Sequence, residues 1–202
     1  MNQILDLSTI NFTIIDLDPQ IVKIFEQIFA NLPNFVVKKV KKGYIAKNSA
    51  DCLVSPANSF GLMDGGVDKE INEVLFIERR VQAVIHSKHR GEQLVGTCEL
   101  VPTYIHTYPF LAHTPTMRTP TDVSKTDNAY ISFRAFLTCL IQHNTTNRNE
   151  IHTVLLTPFC TGTGKMLADR SAMQMRLAYD QVQRTPECNW MNANEIAYKL
   201  AL

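Results

Sequence analysis

The chain reads as an α/β protein on three observations. Short apolar runs at Phe12–Leu17, Phe35–Val40, Cys52–Val54 and Val154–Leu156 have the length and side-chain type of buried strands. Amphipathic stretches of helical period separate several of them. Two of the runs pass directly into glycine-rich loops that open onto further helices, at Asp64-Gly-Gly-Val-Asp68 and at Cys160-Thr-Gly-Thr-Gly164. In open α/β sheets the ligand crevice lies outside the carboxyl ends of the strands, so both loops belong at one crevice.

Each element has a local cause. After the first strand, Asp18 and Pro19 supply an N-cap and a first-turn proline for a helix with Ile21, Phe25, Ile28 and Phe29 on one face. Pro33 ends that helix. Phe35–Val40 is the next strand and Cys52–Val54 the third, which Pro56 stops because proline has no ladder donor. Ile71 and Leu75 indicate a helix after the first glycine loop. A strand or hairpin is expected between Gly91 and Val101. Residues 103–124 mix Pro, Thr, His and aromatics without a period and read as an insertion or long surface loop, of the kind that serves as a binding loop or lid. Tyr104, His106, Tyr108, Phe110 and His113 give that loop stacking groups. A helix over Ala129–Ile141, apolar at Ile131, Ala135 and Cys139, precedes the strand Val154–Leu156. A last patterned helix starts at Asp169 with Ala172, Met175, Tyr179 and Val182 inward. From Pro186 onward, with Trp190 the only tryptophan, a closing helix or a partner-contact element is expected.

With 202 residues and 45% hydrophobic content, the expectation is one domain over residues 1–202 with a substantial core. The formal net charge is +1, which argues against nucleic acid as a partner, since no large positive field is present. Lys38-Lys39-Val40-Lys41-Lys42 is a basic cluster, read as a solvated strand edge that blocks strand-to-strand association, with steering of an anionic ligand as its other reading. Cys52, Cys98, Cys139, Cys160 and Cys188 are dispersed and odd in number. That pattern and the lack of an amino-terminal signal segment point to a reducing intracellular compartment, the cytoplasm first, with the nucleus left open. No apolar run reaches the ~18 residues of a membrane span. His86 and His89 stand one helical turn apart, but no third ligand stands at a persuasive spacing, so no metal and no cofactor is expected.

The two loops carry the chemistry. Gly162-Thr-Gly-Lys165 invites a comparison with the Gly-x-x-x-x-Gly-Lys-Ser/Thr nucleotide loop, but position 159 is Phe and position 166 is Met. The dinucleotide fingerprint fails as well, because its third glycine falls on Leu167. What remains is a set of backbone amides and hydroxyls at Thr161, Gly162, Thr163 and Gly164 able to surround a diphosphate. Cys160 beside them reads as a small packing residue.

Val54-Ser-Pro-Ala-Asn58 followed by Asp64-Gly-Gly-Val-Asp68 resembles the Asn-Ala-Ala-Asn and Gly-Gly-Gly-Val-Asp segments of macro domains, and Cys160–Gly164 resembles their second phosphate loop. The resemblance implies a three-layer α/β/α sandwich with a mixed central sheet. It implies a ligand, ADP-ribose or an ADP-ribosylated protein; the want of a spanning apolar run gives the expectation of no membrane. By the same resemblance Asn58 contacts the distal ribose, Gly65, Gly66 and Val67 line its loop, Thr161–Gly164 cradle the diphosphate, and Asp68 orients water or ribose. Asn58 and Asp68 are then the catalytic candidates, if the protein hydrolyses ADP-ribosyl bonds or ADP-ribose 1″-phosphate. The alternative is a non-catalytic reader of ADP-ribose. The departures are Ser55 at the family's first asparagine, Pro56 at the following alanine and Asp64 at the glycine before Gly65. Where many macro domains carry Gly-Asp-Ile for the adenine amine, this chain has Gly43-Tyr44-Ile45. Asp16 or Asp18 is therefore the expected adenine partner, with Tyr44 stacking on the base.

Overall fold

The computed structural model describes residues 6–146 and 150–201. Six strands form one sheet: β1 (Asn11–Asp16), β2 (Phe35–Lys39), β3 (Cys52–Ser55), β4 (Glu99–Pro102), β5 (Phe110–His113) and β6 (Thr153–Leu156), in the spatial order β2-β1-β6-β3-β5-β4. All neighbouring pairs are parallel except β4 with β5, so the sheet is mixed. The register places Phe12 opposite Val154, Cys52 opposite Val154, and Leu53 opposite Leu111.

Alternation along each strand divides the core in two. Phe12, Ile14, Cys52, Val54, Ala112, Val154 and Leu156 face one layer of helices: α1 (Pro19–Phe29), α4 (Asn128–Thr146) and α5 (Ala168–Arg184). Their alternates Ile15, Leu53, Leu111 and Leu155 face the other: α2 (Gly66–Leu75) and α3 (Glu78–His89). A period of two in a strand buried on both faces requires this arrangement, and it makes the fold a three-layer α/β/α sandwich. An aromatic cluster of Phe12, Phe29, Phe35 and Tyr179 locks α1 and α5 onto β1 and β2. Asn34 bridges the same region, donating to the carbonyls of Leu7 and Ile10 and to the Tyr179 hydroxyl.

Helix α1 forms as its sequence dictates. The Asp18 carboxylate accepts from the Gln20 N–H at 2.7 Å, Pro19 occupies the first turn, and Val22, Phe25 and Phe29 are buried. Between α2 and α3 the chain breaks at Phe76, which is left-handed at φ 49°, and the Asn72 side chain accepts from the Ile77 and Glu78 N–H groups at 3.0 Å each. The last helix, α6 (Trp190–Ala201), has no buried residue and touches the core through Ile196 and Leu200. Among the described residues no helix is long and apolar enough to cross a membrane.

Two expectations are corrected. Residues 103–124 are not a surface loop throughout: they contain β5, which pairs with β3 on one side and β4 on the other. Leu111, Ala112, His113 and Thr114 are fully buried. The strand is only four residues long, enters from Pro109 and ends on a histidine, so it shows no period. None of its aromatic groups lines the cleft at the carboxyl ends of the strands. Tyr108 is buried and donates to the Ile45 carbonyl at 2.9 Å, while Tyr104 lies outside against Arg80. His113 pairs through Nδ1 with Gln93 at 2.7 Å, and burial pushes its pKa down to about 4. Helix α4 is the second correction. Its buried stripe is Ala129, Phe133, Phe136, Leu137 and Leu140, whereas Ile131 is exposed. The stripe 131/135/139 and the stripe 129/133/137 both fit a helical period, and the larger aromatic volume settles which one turns inward.

Candidate functional site

The carboxyl ends of β1, β6, β3 and β5 open into one cleft of about 740 Å³. Its lining includes Asp16, Asp18, Tyr44, Ile45, Asn58, Gly65, Gly66, Val67, Asp68, Thr161, Gly162, Thr163 and Gly164, so the structure brings together every site candidate read from the sequence. Thr116, Met117 and Pro120 also line it, and sequence reasoning missed them because they follow the unrecognised β5. The only sequence signal was the short run Phe110-Leu-Ala-His113.

The loop after β3 is held by side chains. Asn58 Oδ1 accepts from the N–H groups of Phe60 and Leu62 at 3.1 and 3.3 Å, and Nδ2 donates to the Leu62 carbonyl at 2.7 Å. The amide therefore builds the loop and keeps one N–H for a ligand. The Ser59 N–H continues the pairing toward the segment after β5, reaching the Met117 and Arg118 carbonyls at 3.1 Å each. Gly61, at φ 64°, lies so close to α3 that a Cβ there would meet Val81 and Ile85 methyl carbons at 2.8 Å.

At the start of α2, Gly65 is the N-cap without a side-chain cap bond, and the first helical bond runs from Lys69 N–H to Gly65 O at 3.1 Å. The N–H groups of Gly66, Val67 and Asp68 precede it and have no acceptor among the described residues. Gly66 has φ 56°, which its lack of a Cβ permits. Asp68 does not cap the helix. Its carboxylate accepts from the fully buried Ser55 hydroxyl at 2.5 Å, and burial raises its pKa to about 6, against the lowering effect of that hydroxyl. A buried carboxyl at the cleft wall that titrates near neutrality can accept and return a proton.

The loop after β6 is held by packing. Gly164 is wedged in place: a Cβ would sit 2.6 Å from the Cys160 carbonyl oxygen and 2.7 Å from a Val123 methyl. Cys160 and Lys165 are left-handed at φ 64° and 54°, an uncommon state for residues with a Cβ. The turn is tied by Lys165 N–H to Gly162 O and Met166 N–H to Cys160 O, each at 3.0 Å. Among the described residues the N–H groups of Thr161, Gly162, Thr163 and Gly164 reach no protein acceptor. Burial pushes the Cys160 thiol up to about 12, which keeps it protonated.

At the β1 end the carboxylates are partly engaged. Asp16 Oδ1 accepts from the Asp18 N–H at 2.8 Å and Asp18 caps α1, leaving one oxygen of each for a ligand. Burial raises the Asp16 pKa. Tyr44 is half-buried beside the buried Ile45. Among the described residues no cluster of His, Cys, Asp and Glu is arranged to hold a metal. His86 is exposed and His89 pairs with Glu99 at 2.9 Å.

This geometry has relatives. The fold is similar to that of the macrodomain of Mycobacterium tuberculosis DarG, with TM-score 0.58 and 17% identity over 71% of this chain and 90% of that one. It is similar to an Oceanobacillus iheyensis macrodomain solved with ADP, with TM-score 0.57 and 15% identity over 77% of this chain and 85% of that one. A Trypanosoma brucei macrodomain in complex with ADP-ribose matches with TM-score 0.50 and 19% identity over 70% of this chain and 55% of that one. A comparison with curated proteins finds no match. The family model for the Macro domain matches residues 54–175, which include both glycine loops and leave Asp16, Asp18, Tyr44 and Ile45 outside. With that match covering more than half of its length, the chain belongs to the macro domain family.

Proposed function

We propose that this macro domain, acting as one unit, binds ADP-ribose in the cleft and hydrolyses an ADP-ribosyl bond or ADP-ribose 1″-phosphate without a metal. The observation that carries the binding is the pair of unpaired N–H arrays, Gly66–Asp68 at the α2 terminus and Thr161–Gly164 after β6, opening on the same cleft. Such arrays fit a diphosphate through backbone donors and the positive end of a helix. Macrodomains of similar fold solved with ADP and with ADP-ribose support this ligand. The distal ribose then lies by Asn58 and Asp68, and adenine lies by Tyr44, with Asp16 or Asp18 accepting from its amine.

For turnover, Asp68 takes a proton from a water as that water's oxygen bonds to the distal ribose carbon or to the 1″ phosphorus. The bond to the leaving oxygen breaks, and the proton passes to it. The raised pKa of Asp68 supports this role, since a group titrating near pH 6 exchanges a proton readily near neutrality. The reader alternative is favoured by Asn58, whose carbonyl end is already occupied within its own loop.

Calorimetric titration with ADP-ribose, with AMP as comparison, tests the binding. Micromolar affinity that is lost in Gly162→Glu is expected, and wild-type protein that ignores ADP-ribose refutes the assignment. Turnover is then measured on ADP-ribosylated protein and on ADP-ribose 1″-phosphate. Asp68→Ala should lower the rate more than the affinity, and no turnover of either substrate by the wild type leaves the reader function.

A further inference from the structure

The lysine cluster at the end of β2 has two halves with different surroundings. β2 is an edge strand, so Lys38 and Lys39 serve to discourage pairing with a foreign strand. That account does not reach Lys41 and Lys42. The strand stops at Lys39, the Val40 N–H makes the last bond to β1 at the Asp16 carbonyl, 2.9 Å, and Lys41 and Lys42 then turn along the cleft wall. All four lysines are exposed, and among the described residues none forms an ion pair. The carboxylates at this end of the cleft are Asp16, Asp18 and Glu70. Each accepts a backbone N–H instead, from Asp18, Gln20 and Gly43 respectively. The lysine charge is left facing the cleft mouth.

Its position indicates what it faces. β2 is two strands from β6, about 10 Å along the sheet at ~4.8 Å per strand, so the lysines lie roughly one nucleoside away from the diphosphate loop. Between them are Asp16, Asp18 and Tyr44, the adenine side in the proposed orientation. We infer that the cleft takes ADP-ribosyl ligands that carry further phosphate charge beyond the adenosine ribose, seated against Lys41 and Lys42. This rests on the ADP-ribose reading above and names the ligand class more narrowly. The same chemistry has two sources: a monomer with a 2′-phosphate, and an oligomer in which the adenosine ribose continues into the next ADP-ribose unit.

The test compares the affinities of ADP-ribose, ADP-ribose 2′-phosphate and a short linear oligomer of ADP-ribose for the same protein at fixed salt. At least one extended ligand should bind about tenfold more tightly than ADP-ribose, as one added charge-assisted contact allows. In Lys41→Gln/Lys42→Gln that ratio should fall to about 1, and in wild type it should shrink as salt rises. An advantage confined to the oligomer and reduced by Lys38→Gln/Lys39→Gln identifies the polymer. An advantage of the 2′-phosphate that survives Lys38→Gln/Lys39→Gln identifies the monomer. Tight ADP-ribose binding with no advantage for either extended ligand, or an advantage untouched by Lys41→Gln/Lys42→Gln, overturns this inference and leaves the ADP-ribose reading standing. Failure of ADP-ribose itself to bind overturns both.

Discussion

The loops after β3 and β6 face the same cleft and are both rich in glycine, yet they are stabilised by different means. The first is tied by side chains: Asn58 closes it on itself, and the Ser55 hydroxyl reaches Asp68. The second is shaped almost wholly by backbone and packing, with left-handed Cys160 and Lys165 and with Gly164 pressed against the Cys160 carbonyl. Only the first, with the helix it opens, brings carboxylates to the cleft, Asp64 and Asp68 among them. In the proposed function the first side handles the proton and the second holds the anion. The comparison also separates glycines that the fold requires, Gly61, Gly66 and Gly164, from Gly65 and Gly162, which have open space at the Cβ position and no left-handed backbone.

The sharpest test of this division is Asp68→Asn, which keeps shape and removes the ionisable group. If the β3 side performs the chemistry, turnover should fall by about a hundredfold or more while ADP-ribose affinity changes little. Stability should move the other way. The folded-state pKa of about 6 lies above the ordinary carboxyl value of 3.8, so the native state binds the extra proton between those values. Wild-type stability is therefore lost as pH rises through that window, and the cost is complete above about pH 6. The cost is on the order of 3 kcal/mol, at 1.36 kcal/mol per unit. Asp68→Asn should be more stable than wild type by that order at pH 8, with the gain vanishing near pH 4. Thermal melts across pH check it, and a variant less stable than wild type at pH 8 would break the argument.

Next in size is the contrast inside the β6 loop. Gly164→Ala must push a carbonyl and Val123 aside and should cost about 2–3 kcal/mol, taking binding with it. Gly162→Ala meets nothing within 4 Å and should leave stability within about 0.5 kcal/mol of wild type. Its methyl group lies where a ligand would approach the N–H array, so ADP-ribose affinity should still fall by about tenfold. Melting curves with and without ADP-ribose separate the two. Equal stability losses would show that the glycines do not divide into structural and ligand-facing sets.

How much of this was legible beforehand depends on what each residue does locally. The strands β1, β2, β3 and β6, the N-cap of α1 and both glycine loops announce themselves through short-range chemistry, and the residues of those loops line the cleft together. β5 did not, because its apolar run is only Phe110-Leu-Ala112, set between Pro109 and His113 in a stretch rich in Pro, Thr and His, and Thr116, Met117 and Pro120 disappeared with it. The inward face of α4 was misassigned for a related reason: two stripes satisfied the period, and only the packing against Phe159 and the sheet distinguishes them. The Ser55–Asp68 bond spans 13 residues and joins a strand end to a helix start, a juxtaposition that only the closed β3–α2 turn creates.

That bond carries a smaller expected effect than Asp68 or Gly164, and the most specific one. Ser55 stands where the family pattern has asparagine, and its hydroxyl opposes the effect of burial on Asp68 by favouring the ionised form. Ser55→Ala removes the donor and leaves a methyl group in a fully buried position. The Asp68 pKa should then rise further, so the acidic limb of the rate profile moves to higher pH while the plateau rate is approached only above it. Stability at pH 8 should drop by about 1–2 kcal/mol, the usual loss for a hydrogen bond to a buried charged group. At pH 4 the carboxyl is protonated with or without the serine, and the loss should be smaller. Ser55→Asn, which restores the family residue, should return a donor to Asp68 and bring the acidic limb back. A pH–rate profile identical in wild type and Ser55→Ala would mean that Asp68 is not the titrating group, and the β3 loop would then differ from the β6 loop in its means of support but not in its chemistry.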